Sequence, residues 1–427
     1  MTTATTTTNP AAPNLDGGRL RALIQEELPG LIDLRRALHR CPELGFTEHK
    51  TSARIASELD ALGLRRRAHM AAQVEGEQGT GVIAHLPAIG AHVDAARGSV
   101  GLRADFDALP IAENTGVEYA SEHPGLMHAC GHDGHTAILL GAARVLRRLD
   151  QRPNPVTFVF QPAEEGGAGG AKMCRDGALE GDTHPANAGL GPRVERMYGL
   201  HGWPELPLGA IATRPGPLLA ATDEFRITIE GTQGHAAYPH LALDPIVASA
   251  HVITALQTLP SRSVSPLDSL IVTVGSIHAG SANNVIPAKA ELHGTVRTLR
   301  DETRVLAKDL LFRTVEQTCA ALGMVAQIEW NEGYPVTRND EREAERVLEI
   351  TRGAFGEARS LLAPEPGMGG EDFSYYGQRV PACFFLLGLC PPDESPRDQP
   401  LLHQAEFDFN DDAIAPGVEM MVRMALS

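Results

Sequence analysis

Residues Val156–Gln161 read VTFVFQ and are followed at once by PAEEGG at 162–167. A short apolar run that ends in turn residues predicts a strand that is buried on both faces, as in a sheet covered by helices. Similar strand-like runs occur at Gly81–Leu86 and 99–104, and residues 136–149 have the pattern of a helix. This alternation predicts an α/β domain with a mainly parallel mixed sheet that is flanked by helices.

The pattern changes near residue 223, where apolar and polar residues begin to alternate in the segment EFRITIE. The order of elements that follows is βαββαβ, which predicts an antiparallel sheet with two helices on one face, a ferredoxin-like α+β unit. Its predicted strands are 224–230, 270–277, 289–298 and 325–330, and its predicted helices are 245–259 and 302–322. We therefore predict one α/β domain at 18–221 and 331–427, interrupted by a smaller domain at 222–330.

Composition narrows the class of protein. The chain has 427 residues, with 37 Lys and Arg against 54 Asp and Glu, and a formal net charge of −17. That balance argues against nucleic acid or an anionic membrane as the main partner, because both require a basic surface. No apolar run approaches the roughly 18–20 residues of a membrane helix. Residues 1–17 are rich in threonine and predict a disordered tail, not a secretory signal.

Cysteine usage indicates the compartment. The six cysteines are scattered along the chain and are not spaced like a disulfide framework. We therefore predict a reducing, cytoplasmic location. A cysteine that lies among histidines and acidic residues then becomes a candidate for metal binding or catalysis.

The segment MHACGHDGH at 127–135 is such a cluster. Cys130 and His132 are separated by one glycine, so a thiolate and an imidazole can point at the same position. The alternative is an ordinary turn with surface histidines. Three histidines, a cysteine and an aspartate within eight residues favour a metal site.

Two acidic motifs follow predicted strands. Glu164 and Glu165 come directly after Val156–Gln161, where open α/β sheets bind their ligands. One carboxylate can coordinate a cation while its neighbour moves a proton, although a solvated acidic loop would show the same residues. Asp105 and Asp107 alternate at the end of another strand and can face a cation or orient histidine ligands. Aspartate at a strand end is also common turn chemistry.

Single residues elsewhere carry less information. His201 follows a short apolar run, and His403 lies near the C-terminus. A lone histidine is more often a core or surface residue than a ligand. In the smaller domain, His235 and Asn284 lie in polar segments that are compatible with ordinary turns.

Taken together, these segments resemble the aminoacylase/carboxypeptidase family of two-metal metallohydrolases. The resemblance is to the branch of hippurate hydrolases, N-acyl-amino-acid amidohydrolases and indole-acetyl-amino-acid hydrolases. The motifs run in the same order from LHRCPELG at 38–45, through every cluster above, to GGEDF at 369–373 and FDFND at 407–411. They cover nearly the whole chain beyond the threonine-rich tail.

The resemblance implies a centre of two divalent cations. Cys130 would be the ligand shared by both ions, His132 and His201 would complete one site, and Glu165 and His403 would complete the other. Thiolate and imidazole suit zinc, while the whole donor set also admits manganese, cobalt or nickel.

The resemblance also implies roles for residues that are not ligands. Glu164 would be the general base. His235 and Asn284 would come from the inserted domain at 222–330, which forms the dimer interface in this family. One or both would reach the active site of the other subunit and hold the substrate there, and His235 would assist the oxyanion during catalysis. Arg297 would lie near the substrate carboxylate or would only stabilise the small domain.

Three more acidic residues are assigned to the surroundings of the ligands or the substrate. Asp105 stands where sister branches have a histidine ligand, so it is grouped with Asp107 as a support for the ligands, and Glu371 of the GGEDF motif is placed with them.

The predicted activity is hydrolysis of the amide bond of an N-acyl amino acid, either N-aroyl or N-acetyl, to a carboxylate and a free amino acid. Water activated at the two cations would attack, with Glu164 as general base. The alternatives are a dipeptidase or carboxypeptidase, or a deacetylase of N-acetyl-diaminopimelate or of a cysteine conjugate. A non-catalytic binding protein on the same scaffold would lack a ligand or the base, and neither is missing from this sequence.

Overall fold

The computed structural model describes residues 17–90, 93–94 and 96–427. The predicted tail at 1–17 lies outside the described residues except for Gly17, which is the first residue of a helix. The helices are α1 (Gly17–Arg40), α2 (His49–Ala61), α3 (His132–Arg147), α4 (Gly169–Arg175), α5 (Pro245–Leu256), α6 (Asp301–Ala321), α7 (Glu341–Phe355), α8 (Ser374–Gly377) and α9 (Ile414–Leu426).

The strands alternate with these helices through most of the chain. They are β1 (Arg65–Met70), β2 (Gly81–Leu86), β3 (Ser99–Asp105), β4 (Val156–Gln161), β5 (Val194–Pro207), β6 (Ile211–Thr213), β7 (Gly216–Leu219), β8 (Ala221–Glu230), β9 (Gly234–His235), β10 (Leu270–Ala279), β11 (Val285–Ile286), β12 (Lys289–Thr298), β13 (Val325–Glu332), β14 (Thr337–Asn339), β15 (Ser360–Leu362) and β16 (Ala382–Cys390).

The first of two compact units comprises the described residues up to 216, with 339–363 and 375–427. Its eight-stranded sheet has the order β1-β2-β4-β3-β5-β16-β6-β15. The four central strands, β4, β3, β5 and β16, run parallel to one another. Because β1 and β2 pair antiparallel and β16 pairs antiparallel with β6, the sheet is mixed, as predicted.

Continuous burial explains why these apolar runs became central strands. Every residue of β3, β4 and β16 is buried, which confirms the prediction of a strand covered on both faces. Helices α1, α3 and α9 pack together over this core. Gly141 of α3 allows their close approach, since a Cβ atom there would lie 2.6 Å from a Leu31 side-chain atom and 2.7 Å from one of Val418.

Helix α3 begins four residues before its predicted start at residue 136. Gly131 has φ 82°, a left-handed conformation that glycine adopts readily and that turns the chain into the helix. The motif from His132 to His135 therefore occupies the first turn of α3, and all four of its residues are buried. The apolar pattern could not predict this earlier start. Buried polar residues that bind one another cannot be distinguished by sequence pattern from polar residues on the surface.

The second compact unit comprises 217–338 and 364–374. Its four-stranded sheet has the order β10-β12-β8-β13, and every neighbouring pair is antiparallel. Side chains on one face of β8, among them Phe225, Ile227 and Ile229, form a core with helices α5 and α6. The predicted βαββαβ order is confirmed, and β12 has the predicted limits of 289–298.

The limits of the units differ from the predicted domain limits. The predicted boundaries at 222 and 330 lie inside the second unit, which also contains residues 364–374 and with them Glu371. Among the residues that the structure describes, none of the helices has the length and hydropathy to cross a membrane.

Candidate metal centre

The candidate site forms at one edge of the large sheet, where the parallel strands β3 and β4 end side by side. Asp105 is the last residue of β3 and pairs with Gln161, the last residue of β4. His132 is the first residue of α3, and His201 lies in β5, the other neighbour of β3. Polar residues at the carboxyl ends of adjacent parallel strands therefore converge, as expected for an open α/β sheet.

One sulfur and two imidazoles form the first donor group. The Sγ atom of Cys130 lies 3.3 Å from Nε2 of His201. One potential ligand atom from each of Cys130, His132 and His201 lies within 4.8 Å of the others, and all three residues are buried. The Nδ1 atom of His201 donates to the carbonyl oxygen of Gly202 at 2.7 Å, so its Nε2 atom carries the lone pair that a ligand needs.

His132 is oriented in the same way. Its Nδ1 atom donates to Oδ1 of Asp107 at 3.2 Å. Its Nε2 atom is buried and has no hydrogen-bond partner among the described residues. A buried nitrogen without a partner is costly, and a carboxylate on the opposite ring nitrogen is the usual arrangement for a histidine ligand. The geometry of His132 therefore fits a metal ion.

A second donor group shares the same sulfur. Cys130, Glu165 and His403 also bring their potential ligand atoms within 4.8 Å of one another. Nε2 of His403 lies 2.9 Å from Oε1 of Glu165. The backbone of His403 has φ 66°, and its N–H group donates to the carbonyl of Ala129 at 2.8 Å. This bond holds the His403 loop against the segment that carries Cys130.

Asp107 connects the two donor groups. Its Oδ1 atom accepts from His132, and its Oδ2 atom accepts from the backbone N–H of Glu165 at 3.0 Å. Both groups therefore depend on the position of one buried carboxylate.

Asp105 holds His135 and Arg103 next to the donor residues. It accepts from Nδ1 of His135 at 2.7 Å and from Arg103 at 2.6 Å. The Nε2 atom of His135 accepts from the backbone N–H of Gly202 at 2.8 Å, so both nitrogens of this histidine are already used. His135 therefore fixes the chain next to His201 and is not placed as a ligand.

Glu164 lies beside the donors and is itself mostly buried, with 7% of its surface exposed. One of its oxygens lies within 4.8 Å of ligand atoms of His132 and Glu165. The residue before it, Ala163, has φ 52°, which is uncommon for a residue with a side chain. This turn sends two neighbouring carboxylates, those of Glu164 and Glu165, towards the same group of donors.

The charge of the site suits cations. Burial, followed by the charges of Glu165 and Glu164, raises the pKa of the Cys130 thiol well above its usual range. Burial alone would lower the pKa of His132, but Asp105 and Asp107 outweigh it and raise that pKa to about 10. Cys130 is therefore a neutral thiol and His132 a charged imidazolium when no metal is bound, and a metal ion would displace a proton from each.

Three glycines allow the ring of Phe409 to pack against the chain segments that carry the donors. A Cβ atom at Gly131, Gly134 or Gly202 would lie within 2.9 Å of a ring atom of Phe409, which is fully buried. Glycine at these positions therefore lets the ring pack directly against the first turn of α3. The FDFND motif at 407–411 thus contributes packing to the site.

The predicted residues of the smaller domain lie in the second unit. His235 and Asn284 are both exposed and adjacent, since the N–H of Ala236 donates to the carbonyl of Asn284 at 3.0 Å. Arg297 lies in β12 and donates to Thr295 of its own strand. The carboxylate of Glu371 is buried and accepts from the N–H of Phe373 at 2.8 Å. The first two residues thus share one small surface.

Four supporting residues were missing from the candidates drawn from the sequence. They are Glu48, which accepts from the N–H of Ala163, Arg103 and His135, which both donate to Asp105, and Gln161, which accepts from Arg103. His135 belongs to the 127–135 cluster, and Arg103 immediately precedes the Asp105 motif, so proximity could have indicated both. No motif near Glu48 predicts its contact with Ala163, which lies 115 positions later in the chain.

Comparison with known proteins identifies the family. A model of the family described as peptidase family M20/M25/M40 matches residues 101–427. The chain is 41% identical to N-acetyl-L-cysteine deacetylase of Bacillus subtilis over 84% of its length and 80% of that protein. It is 37% identical to thermostable carboxypeptidase 1 of Saccharolobus solfataricus over 87% of its length and 88% of that protein.

A solved structure shows the same fold. The YXEP protein of Bacillus subtilis, described as a dinuclear metal-binding peptidase of family M20, superposes with a TM-score of 0.74 at 32% identity. The match covers 95% of this chain and 98% of that one. Since the family model spans the donor residues and these relatives span most of the chain, this protein is an amidohydrolase that belongs to peptidase family M20/M25/M40.

Proposed function

We propose that this protein hydrolyses the amide bond of N-acyl amino acids and releases a carboxylate and a free amino acid. The observation that carries the proposal is that Cys130 belongs to two donor groups, one with His132 and His201 and one with Glu165 and His403. A residue that belongs to two sets of ligand atoms can bridge two cations, so this arrangement supports a centre of two ions.

These five residues would hold the two ions, and zinc, manganese, cobalt and nickel all suit the donor types. When bound, two such cations lower the pKa of a water molecule, polarise an amide carbonyl and stabilise the negative charge that develops on its oxygen. The buried carboxylate of Asp107 keeps His132 and Glu165 in place during the reaction.

Glu164 is the general base of this proposal. One of its oxygens lies within 4.8 Å of ligand atoms of His132 and Glu165, which would place it next to a water molecule bound between the donors. Its carboxylate accepts a proton from the attacking water and passes that proton to the leaving nitrogen. The two adjacent glutamates therefore have different roles: Glu165 is a metal ligand, and Glu164 is the general base and then the general acid.

The substrate is held, in this proposal, by His235 and Asn284 of a second subunit. Their exposure and proximity support this role. The same unit exposes apolar side chains on α5, with Ile246 44% and Val247 48% accessible, as expected for a surface that is covered in a homodimer. The described cysteines are free thiols, which fits the proposed cytoplasmic location.

A carboxypeptidase or dipeptidase activity is the second candidate, supported by the similarity to the carboxypeptidase of Saccharolobus solfataricus. A panel of hippurate, N-acetyl-amino acids including N-acetyl-cysteine and N-acetyl-diaminopimelate, and dipeptides separates the two. The proposal predicts the highest kcat/KM on an acylated amino acid. Faster cleavage of dipeptides with a free amino group would support the second candidate instead.

The two neighbouring glutamates provide a matched test of the assigned roles. Glu164→Gln should keep two ions per chain while kcat falls by roughly 100-fold or more, because the base is lost. Glu165→Gln should lose metal, which elemental analysis of the dialysed protein measures. Unchanged turnover in Glu164→Gln would reject the assigned base, and two retained ions in Glu165→Gln would reject the ligand.

A further inference from the structure

The loop at 43–48 supports the residues that carry the acidic motifs. Its Leu44 forms a bridge with Ala108, which directly follows Asp107. Its Gly45 lies close to the turn after β4, since a Cβ atom there would be 3.0 Å from the Cβ of Ala163. The loop therefore contacts both chain segments that hold the acidic side chains of the site.

Glu48 ends this loop and binds the turn directly. None of its surface is exposed. Its Oε1 atom accepts from the backbone N–H of Ala163 at 2.9 Å, and its Oε2 atom accepts from Oγ1 of Thr80 at 2.8 Å. Thr80 is itself buried and precedes β2, so the carboxylate is fixed at both oxygens.

The bound residue is the one with the unusual backbone. Ala163 has φ 52°, in the left-handed region where a Cβ atom costs energy. Such a conformation persists only when its surroundings hold it in place. The N–H of this residue donates to Glu48, and the next residue in the chain is Glu164.

We propose that Glu48 is a positioning residue for Glu164: through its bond to the Ala163 N–H, it holds the turn that directs the catalytic carboxylate. This inference rests on the proposed function, in which Glu164 is the base. It concerns neither a ligand nor a group that touches substrate, and it gives a role to a buried acid that the proposed mechanism leaves unused.

The hydrogen bond, more than the charge, is what the turn requires. Burial and then the nearby charge of Asp107 raise the pKa of Glu48 to about 7. Glutamine at position 48 would be a neutral isostere that still offers an amide oxygen to Ala163, while the hydroxyl of Thr80 can accept from its amide group. Leucine has a similar volume but leaves the Ala163 N–H without a partner.

The test compares Glu48→Leu with Glu48→Gln in the full-length, metal-loaded protein. Glu48→Leu should lower kcat by roughly 10- to 100-fold, because a small displacement of a catalytic group has effects of that order. Its KM and its content of two ions per chain should stay at the wild-type values. Glu48→Gln should restore most of the lost kcat. Wild-type kcat in Glu48→Leu, or no recovery in Glu48→Gln, would overturn the proposal.

A control variant separates positioning from a general loss of stability. Glu419 is also a buried glutamate that accepts from two side chains, Arg21 and Arg423. Glu419→Leu should lower the unfolding midpoint and leave kcat unchanged. An equal loss of kcat in Glu419→Leu and Glu48→Leu would show a purely structural role for Glu48 and overturn the proposal.

A double variant tests whether Glu48 acts through Glu164. If it does, adding Glu48→Leu to Glu164→Gln should cause no further fall in kcat, since residues that act as a unit are not additive. A further 10-fold fall in the double variant would contradict the proposal. If Glu164→Gln alone keeps wild-type activity, the assignment of Glu164 as the base fails; if it is inactive while Glu48→Leu is fully active, only the role of Glu48 fails.

If Glu48→Leu does not fold, two less disruptive variants at Thr80 test the same proposal. Thr80→Val removes the donor to the second oxygen of Glu48 while keeping the side-chain volume, and Thr80→Ser keeps the hydroxyl. Thr80→Val should lower kcat by several-fold relative to Thr80→Ser at unchanged metal content. Equal kcat values in this pair would count against the role of Glu48.

Discussion

At the scale of single residues, protons and cations compete for the same donors. Cys130 and His132 both keep a proton at neutral pH when no cation is present, since their pKa values are raised, that of His132 to about 10. His201 behaves differently, because burial and then the charge of His135 lower its pKa and leave it neutral. A metal ion at this site must therefore displace protons from some ligands but not from others.

Metal uptake should consequently release on the order of two protons per chain near pH 7.5 and should weaken as the pH falls. Protons are released and not taken up because the raised pKa values keep more protons on the metal-free site than on the loaded one. Calorimetric titration of metal into the metal-free protein, in buffers of different ionisation enthalpy, measures the protons released. Cys130→Ser should release about one fewer proton, and equal release from both proteins would contradict the raised pKa of Cys130.

The chemistry of these residues was largely predictable from the sequence, but their supports were not. Cys130, His132 and Glu165 stand in short motifs whose residue types indicate metal binding. His201 and His403 became candidates only through the resemblance, because a lone histidine has no distinctive pattern. Glu48 was not predicted, since its contact with Ala163 joins residues 115 positions apart and depends on tertiary packing.

At the scale of elements, the start of helix α3 depends on packing more than on helix propensity. Gly131 turns the chain into the helix, and Gly134 lies against the ring of Phe409 in its first turn. The apolar run that begins near residue 136 predicted the body of this helix. The buried first turn was not predictable, because the residues that cover it come from 407–411.

Gly134→Ala should therefore destabilise the protein even though alanine favours helices. The new Cβ atom would lie 2.6 Å from ring atoms of Phe409, and such overpacking costs about 1–3 kcal/mol. Gly353 in α7 is the matched control, since a Cβ atom there meets nothing within 4 Å. Gly353→Ala should raise the free energy of unfolding by up to about 1 kcal/mol. Urea unfolding of both variants measures the difference, and stabilisation by Gly134→Ala would contradict the packing account.

At the scale of the whole molecule, the sequence predicted two architectures and the structure confirms both. Continuous apolar strands such as Val156–Gln161 indicated the covered, mainly parallel sheet, and the alternating strand at 224–230 indicated the one-sided antiparallel sheet. The inclusion of 364–374 in the second unit could not be predicted, because compact units are defined by contacts between segments distant in sequence.

The second unit exposes apolar side chains on α5, so we expect the protein to be a dimer in solution. Sedimentation velocity should give twice the chain mass of 45.6 kDa for the wild type. Ile246→Asp should shift the protein towards monomers, because a charge would be buried in the interface. Val74→Asp is the control, since Val74 is 55% exposed in the first unit. A monomeric wild type at tens of micromolar would contradict the proposed dimer.

In the metal-loaded protein, the Sγ atom of Cys130 should be bound to metal. X-ray absorption spectroscopy at the zinc edge of the zinc-loaded protein measures this directly. The account predicts a sulfur scatterer at about 2.3 Å in the wild type, beside nitrogen and oxygen at about 2.0–2.1 Å, and its loss in Cys130→Ser. A wild-type spectrum with only nitrogen and oxygen neighbours would contradict it.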